Sequence, residues 1–472
     1  MATAILSTVH VHAQGASNAK WFAPTIQEVE IVSDWKQGDA GIIWADDFSA
    51  PGALAPRYHD VGSSAGSFGP ADAVGLGNSR GLRQHYDSGQ VSAGWAWRFF
   101  GDHPSVGGPQ YREVWARFYH RFDTGFVGVP PKMARMGTFA TGDWTLGFMA
   151  HYWWATQGSS RGRAIADVAS NIATTGNQPV QRGYNNFERW LPVALSTFKA
   201  DTAPNSERWI CYEMRVKLND ANMLNGEYDY WADGQKIISI TGRNIVAAYT
   251  ARGINALQLD TYWNAGSPRE QSRFYDNVVI ATHRIGPARS PRTPLIRRTP
   301  FRPIGSEQLM EWHLQVAPSA ARDSIVWVAR TMAGGTESVR VDAASGTFTG
   351  NRTMLDANTL YVVRASAVLR DQDSSGWSEW HGEFLTSDDV SSIVVEQARS
   401  ALRAYPSPAS ERVTIEGFDD GAIEVVDCVG RIVLTERNES TRHRIDVDVS
   451  RLASGLYFVR NGAQATRFVV SR

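Results

Sequence analysis

Charged and aromatic side chains alternate with mostly apolar ones between residues 113 and 122. The alternate positions that suit a core are Val114, Ala116, Phe118, His120 and Phe122. The intervening positions are Glu113, Trp115, Arg117, Tyr119 and Arg121. Arginine clamps carboxylates through two parallel hydrogen bonds, and flat rings stack on sugar faces. On a concave sheet this second set would line a groove for an acidic polymer. The alternative is a solvated face with ordinary cross-strand pairs.

Such a row must lie on a strand that pairs with neighbouring strands, and the sequence predicts further strands downstream. Tyr212, Met214, Val216 and Leu218 alternate with Glu213, Arg215 and Lys217. This period of two is that of a half-buried strand. Asp233-Gly234 then follows a strand-like run, and both residues tolerate the positive φ of a tight hairpin turn. We therefore predict an all-β protein built from antiparallel sheets.

Five segments resemble the concanavalin A-like jelly-roll sandwiches, and within them the secreted bacterial polysaccharide lyase-like proteins. They are Trp-Ala-Asp-Asp-Phe-Ser at 44–49, the strand at 112–122, Val-Lys-Leu-Asn at 216–219, Tyr-Trp-Ala-Asp-Gly-Gln-Lys at 230–236 and Phe-Tyr-Asp-Asn-Val-Val-Ile-Ala-Thr at 274–282. The resemblance covers residues 40–288 and implies a jelly-roll domain over 20–288. These motifs are specific for the fold and only suggest the activity.

The resemblance also implies where catalytic groups lie. In such lyases a loop lysine lines the active site, and the cation-rich loop at 130–137 stands in that place, with proline before Lys132 instead of after it. The strand at 148–154 usually offers an arginine, but none stands at 146–149, which leaves His151 and Tyr152 as replacements. The predicted catalytic residues are thus Lys132, His151 and Tyr152, and the predicted substrate-binding residues are Trp115, Arg117, Tyr119, Arg121 and Arg135.

β-Elimination from a uronic acid assigns work to these groups. A cation must offset charge on the C5 carboxylate, a base must take the C5 proton, and an acid must protonate the leaving oxygen. Arg117, Lys132 and Arg135 suit the first task, and Tyr119, His151 and Tyr152 suit the others. The alternative is that each tyrosine or histidine is a satisfied structural group.

Other chemistry finds little support in the sequence. Zinc-protease, nucleophile-elbow, paired-cysteine and P-loop motifs do not occur. Glu227 and Asp229 lie two residues apart on one face, but their hairpin matches poorly the carboxylate pair of a glycosidase. No cofactor is predicted except a structural calcium ion, which Asp46 and Asp276 would bind between the first and last strands, as in related sandwiches.

The remainder of the chain divides into smaller parts. Six arginines and five prolines between 284 and 303 predict an extended linker over 289–303, which either is solvated or contacts an acidic glycan. Residues 304–386 resemble a fibronectin type III module through Leu-Tyr-Val-Val-Arg-Ala at 360–365 and the approach to Trp380. A second linker is predicted over 387–403.

Residues 404–472 resemble the C-terminal sorting domain of the type IX secretion system of Bacteroidetes-type bacteria. The segments that carry this are Ala-Tyr-Pro-Ser-Pro-Ala-Ser at 404–410, Val-Val-Asp-Cys-Val-Gly-Arg at 425–431 and 445–459. The usual Pro-Asn-Pro is Pro-Ser-Pro here. The resemblance implies that the secretion machinery is a partner, and that the protein is secreted or held at the cell surface.

Composition excludes several classes of protein. The net charge of −1 argues against a nucleic-acid or membrane-surface binder, and no stretch approaches the about 20 apolar residues of a membrane span. The two cysteines, Cys211 and Cys428, fall in different predicted domains, so no disulfide framework is implied.

The 17 tryptophans suit either sugar stacking or sandwich cores. Residues 1–19 are interpreted as a signal-peptide remnant, with a disordered tail as the alternative.

Two functions remain open at this point. One is a secreted polysaccharide lyase-like enzyme, expected to be a monomer, that acts on an acidic polysaccharide. The other is a non-catalytic glycan-binding or surface-adhesion protein on the same sandwich.

Overall fold

The computed structural model describes residues 25–32, 34–55, 57–63, 67–142, 144–180, 187–191, 194–200, 207–301, 308–329, 332–370, 374–387, 403–405, 407–416, 422–427, 431–437, 444–461 and 464–471. Within these ranges the regular structure is β-strand, apart from two short 3-10 turns at Leu76–Asn78 and Gly158–Ser160. The prediction of an all-β protein is confirmed.

The strands are numbered in chain order. Up to residue 298 they are β1 (Ile26–Val29), β2 (Ile42–Asp46), β3 (Asp60–Ser63), β4 (Phe68–Ala71), β5 (Gly81–Tyr86), β6 (Gly94–Phe99), β7 (Glu113–Phe122), β8 (Lys132–Phe139), β9 (Leu146–Trp154), β10 (Arg163–Ser170), β11 (Arg189–Trp190), β12 (Ala194–Lys199), β13 (Ile210–Lys217), β14 (Gly226–Ala232), β15 (Gln235–Arg243), β16 (Ala256–Asp260), β17 (Gln271–Ala281), β18 (Arg289–Ser290) and β19 (Leu295–Arg298). Beyond it they are β20 (Leu309–Pro318), β21 (Trp327–Ala329), β22 (Met332–Ala333), β23 (Ser338–Arg340), β24 (Gly346–Phe348), β25 (Leu360–Leu369), β26 (His381–Thr386), β27 (Arg403–Tyr405), β28 (Arg412–Glu416), β29 (Ala422–Asp427), β30 (Ile432–Arg437), β31 (Arg444–Asp448), β32 (Gly455–Asn461) and β33 (Gln464–Val470).

Two eight-stranded sheets form the jelly-roll sandwich. The first sheet has the order β15-β14-β13-β7-β17-β5-β4, with β2 also paired to β17. The second sheet has the order β11-β10-β9-β8-β16-β6-β3, with β12 also paired to β10. Their inner faces enclose one core, to which β7 contributes Val114 and Phe118 and β9 contributes Phe148 and Tyr152. The outer faces are therefore where polar side chains of these strands are placed.

The predicted hairpin turn is present between β14 and β15. Asp233 and Gly234 have φ angles of 50° and 82°, which is the left-handed pair that a tight two-residue turn requires. A side chain at position 234 would be strained by that backbone conformation.

A second sandwich follows, and it includes segments that the sequence assigned elsewhere. Its seven-stranded sheet has the order β18-β26-β25-β20-β21-β24, with β22 also paired to β20, and its three-stranded sheet has the order β1-β19-β23. Ile26 of β1 and Ile296 of β19 are buried in its core. The structure thus differs from the predicted linker over 289–303, because residues 289–298 contribute two strands.

The arginines of that segment explain the difference. The Arg298 guanidinium donates to the backbone oxygens of Thr336 and Thr299 at 3.0 and 2.9 Å and lies 5.4 Å from the Trp312 ring centroid. An arginine with these partners need not be solvated, so a basic, proline-rich composition did not indicate a linker here.

Residues 393–472 form a separate compact unit. Its described strands make a three-stranded sheet, β27-β28-β31, and a four-stranded sheet, β30-β29-β32-β33. Val413, Ile423, Val459 and Phe468 are among the residues that fill the core between them. This unit is the second of the two small β-sandwiches that were predicted.

Several predictions fall outside the described residues. These are the interpretation of residues 1–19, the second linker predicted over 387–403, of which 388–402 are not described, and the thiol of Cys428. Cys211 is buried as a free thiol. No helix in the described ranges is long and apolar enough to cross a membrane.

Candidate active site

A row of polar side chains crosses the outer face of the second sheet. Residues directly opposite one another in an antiparallel pair project from the same face. The cross-strand register places Asp167, His151, Arg135, Gln258, Trp97 and Asp60 opposite one another in turn, from β10 to β3. Of the predicted site residues, the structure brings His151, Arg135 and Lys132 to this face.

A bulge in β8 is what places Lys132 beside Arg135. Lys132 pairs with Trp153 and Ala134 with Tyr152, so two steps along β8 match one step along β9. Met133 and Ala134 both enter the core as a result. Residues three apart in a regular strand point to opposite faces, and the extra residue restores Lys132 to the face that Arg135 occupies.

His151 and Asp167 form a buried pair on this face. His151 Nδ1 lies 2.5 Å from Asp167 Oδ1, and both side chains are at least nine-tenths buried. Burial lowers the pKa of His151, and the hydrogen bond to Asp167 opposes that shift without cancelling it. An imidazole oriented by a carboxylate through Nδ1 keeps Nε2 as its remaining acceptor, which is the arrangement of a general base.

Arg135 is held by a carboxylate of the neighbouring strand. Its Nε donates to Asp260 Oδ2 at 2.7 Å, and Asp260 Oδ1 accepts from the Tyr262 amide at 3.0 Å. Arg135 Nη1 lies 3.6 Å from the Met149 sulfur. The charge of Arg135 is therefore largely balanced within the protein.

Lys132 lies against an aromatic ring. Its Nζ is 2.9 Å from the Trp153 ring centroid. Burial, followed by the nearby charge of Arg135, lowers the pKa of Lys132 to about 8. Lys132 is thus an ammonium at neutral pH that loses its proton in mildly alkaline solution.

Aromatic side chains surround these groups. The Trp190 ring is nearly parallel to the His151 ring at 6.0 Å between centroids, and the Trp153 ring is tilted by 41° to the His151 ring at 4.2 Å. Trp190 and Trp144 are each 50% exposed, and the Trp95 indole donates to Asp60 at 2.8 Å. Exposed flat rings beside polar groups suit the binding of sugar rings.

Tyr152 is not at this face. Its side chain is fully buried in the core, where its ring lies 4.5 Å from that of Tyr230 between centroids. Because neighbours in a strand alternate, Tyr152 must point inward when His151 points outward. Burial raises its pKa well above the ordinary value, which does not suit proton transfer.

The predicted substrate-binding row of β7 lies on the other sheet. Arg117 is fully buried and donates to both carboxylate oxygens of Asp34 at 2.7 Å. The Tyr119 hydroxyl accepts from the Ala288 amide at 2.9 Å. The structure differs from the predicted groove because the chain before β2 and after β17 covers this face.

The other two members of the row also have protein partners. Arg121 lies 4.6 Å from the Phe274 ring centroid, and Trp115 receives the guanidinium of Arg215 at 5.4 Å. Neither is brought together with Lys132 or His151.

The residues present do not fit the expected calcium ion. Asp46 Oδ1 pairs with Arg57 at 2.5 Å. Asp276 accepts from the backbone amides of Leu76 and Asn277 at 2.8 and 2.7 Å, and burial raises its pKa to about 8. No group of three or more acidic, histidine or cysteine residues with metal-binding geometry occurs in the described part of the chain.

Sequence reasoning missed Asp167, Gln258 and Asp260. Each had a signal, since Gln258 and Asp260 alternate with Leu257 and Leu259, and Asp167 interrupts an apolar run. A lone polar residue within such a strand marks the outer face.

Comparison with known proteins identifies the C-terminal part of the chain. Residues 403–471 match the secretion system C-terminal sorting domain family. The predicted sorting domain is confirmed, and it indicates export by the secretion machinery to the cell surface or the medium. No curated protein matches the sequence.

Solved structures resemble about half of the chain. An alginate lyase from Aplysia kurodai is 13% identical, with a TM-score of 0.38, over 52% of this chain and 100% of that one. An endo-β-1,4-glucuronan lyase from Trichoderma reesei is 15% identical, with a TM-score of 0.35, over 51% and 96%. A mixed-linkage glucan protein of Bacteroides ovatus is 9% identical, with a TM-score of 0.35, over 51% and 100%. Similarities this distant do not extend to an activity.

Proposed function

We propose that the outer face of the second sheet binds an acidic polysaccharide outside the cell and cleaves it by β-elimination at a uronic acid. The observation that carries the proposal is the His151–Asp167 pair, which shares this face with Lys132 among aromatic rings. A base, a cation and flat rings are the parts that this reaction needs.

His151 is assigned the role of the base that removes the proton from C5. Asp167 holds Nδ1 at 2.5 Å, so Nε2 accepts the proton as the C5–H bond breaks. The electron pair forms the C4–C5 double bond, the C4–O bond breaks, and the leaving oxygen is protonated from solvent. Neutral His151 is required, and burial favours the neutral form by lowering its pKa.

Lys132 is assigned the role of the cation that binds the substrate carboxylate. Arg135 is already paired with Asp260 at 2.7 Å, whereas the Lys132 ammonium contacts a ring. An ammonium beside the carboxylate would stabilise the charge that develops when the C5 proton leaves. Trp153 and Trp190 would pack against the sugar rings on either side of it.

The same geometry supports a second candidate, a glycan-binding protein without catalysis. Arg135 is balanced by Asp260, and His151 is only about 1% exposed, which limits its access to a substrate. Binding through Lys132 and the exposed rings of Trp144 and Trp190 would need neither residue to react.

Ultraviolet absorbance of the unsaturated product separates the two. The full chain is incubated with alginate, glucuronan and polygalacturonate, and product is followed with time. Lys132→Ala and His151→Ala should each lower the rate by on the order of a hundredfold or more. Lys217→Ala, which removes a lysine of the first sheet, should leave it unchanged.

Two outcomes would contradict catalysis at this face. One is a rate that survives both substitutions, which would locate the reaction elsewhere. The other is no product from any polymer while the protein is retained on an alginate gel, which would favour the binding protein.

A further inference from the structure

A cavity of about 400 Å³ lies between the jelly roll and the second sandwich. Its walls include Phe198, Asp233 and Gln235 from the jelly roll and Arg322, Trp380 and Glu383 from the second sandwich. Ligand sites of proteins commonly have this volume and lie at such junctions. The cavity is separate from the Lys132 face, because Lys132, His151 and Asp167 are not among the residues that line it.

Glu383 has one oxygen satisfied and one unsatisfied. Oε1 accepts from Ser319 Oγ at 2.6 Å, from Arg322 Nη2 at 3.4 Å and from the Gln235 amide. The side chain of Glu383 is only 6% exposed. Its Oε2 is buried and has no hydrogen-bond partner among the described residues. Since leaving a buried carboxylate oxygen unpaired is costly, a turn of the Glu383 carboxylate that brings Oε2 to a donor of a ligand in the cavity would be favoured.

The ionisation of Glu383 narrows the kind of donor. Burial raises the pKa of Glu383 to about 7, so both the carboxylate and the carboxylic acid occur near neutral pH. A hydroxyl group suits both forms, because it donates to the carboxylate and accepts from the acid. An ammonium group suits only the carboxylate.

Trp380 supplies a flat wall that the protein holds in place. Its ring lies 4.5 Å from the Arg364 guanidinium, and Trp377 receives the same guanidinium at 5.0 Å. Across the cavity, Arg208 pairs with Asp233 at 2.5 Å. A ring with polar groups beside it matches a sugar, which has an apolar face and a hydroxyl-bearing edge.

We propose that this cavity is a second saccharide-binding site, in which ligand hydroxyls bond to Glu383 and a sugar ring packs on Trp380. The proposal does not depend on catalysis at the Lys132 face. It gives the second sandwich a role in holding the glycan instead of acting only as a spacer.

Calorimetric titration of the full chain with cellotriose and with trimannuronate tests the site. The Lys132→Ala protein is used as the parent, so that no sugar is cleaved. Glu383→Gln and Trp380→Ala should each raise the Kd for the bound trisaccharide about tenfold or more. Trp377→Ala is the matched control, since Trp377 contacts Arg364 without lining the cavity, and its Kd should be that of the parent.

Phe198→Ala provides a second test from the opposite wall and should also weaken binding, with thermal unfolding used to show that each variant is folded. The proposal is overturned if neither sugar binds, or if Glu383→Gln, Trp380→Ala and Phe198→Ala all bind as the parent does. Failure of the lyase proposal looks different, because it affects product formation and leaves this Kd unchanged.

Discussion

At the scale of single residues, two ionisable groups on the second sheet have pKa values that suit opposite roles. Burial lowers the pKa of His151 from its ordinary value, which keeps the imidazole neutral, and lowers that of Lys132 to about 8, which leaves the ammonium intact at neutral pH. A neutral base beside a cation is what proton abstraction next to a carboxylate requires. Neutral His151 and the Lys132 ammonium therefore coexist over a limited pH range, whose acid end is set by His151 and whose alkaline end is set by Lys132.

The pH dependence of kcat/KM should follow these two groups. The rate should rise with pH as His151 loses its proton, below the ordinary histidine pKa, and fall above about 8 as Lys132 becomes neutral. Lys132→Arg should remove the alkaline fall, because arginine stays protonated there. An alkaline limb that is unchanged in Lys132→Arg would assign it to another group, and Lys217→Arg serves as the control.

Asp167 is expected to act through His151 as a positioning residue. Asp167→Asn should lower kcat by on the order of a hundredfold or more, because the amide disfavours the tautomer in which Nε2 accepts a proton. KM should change little if Asp167 does not touch the sugar. Steady-state kinetics measures both, and equal losses in a binding assay and in kcat would argue for a structural role.

At the scale of elements, one bulge and one added strand decide the arrangement. The bulge in β8 puts Lys132 on the same face as Arg135, and β19 extends the second sandwich with Ile296 fully buried. The alternation of apolar and polar residues along the sequence predicts neither feature. Both depend on the strand that pairs with them.

Ile296→Ala tests whether β19 belongs to the core of the second sandwich. The substitution leaves a cavity and should lower the free energy of unfolding by about 2–5 kcal/mol. Leu295→Ala, at the half-buried neighbouring position, should cost less. Chemical denaturation measures both, and equal small losses would mean that residues 295–298 act as a linker.

At the scale of the whole molecule, the chain has two compact units, residues 1–392 and 393–472. The first contains the two sandwiches, including β1, whose Ile26 is buried in the second sandwich although it precedes the jelly roll in the chain. The second unit contains the sorting domain. Export and the proposed glycan chemistry thus belong to different units.

Removal of residues 393–472 should separate these two tasks. The truncated protein should keep the thermal unfolding temperature and product formation of the full chain, because both proposed sugar sites lie before residue 392. In the producing cells it should no longer reach the surface or medium. Immunoblots of cell fractions measure export, and loss of folding on truncation would contradict the division.

The sequence by itself determined the strands β7 and β13, the side of each that faces the core, and the sorting domain, because alternation and short motifs are local properties. His151 and Arg135 were predicted from the resemblance to lyases and lie on one face, whereas Tyr152, one residue after His151, points into the core. Only the tertiary structure decided which outer face is covered. Arg117 is buried because Asp34, 83 residues away, pairs with it, and Asp260 reaches Arg135 from 125 residues away. Such partners are set by sheet order and register, which depend on packing between distant segments and not on the pattern within any one of them.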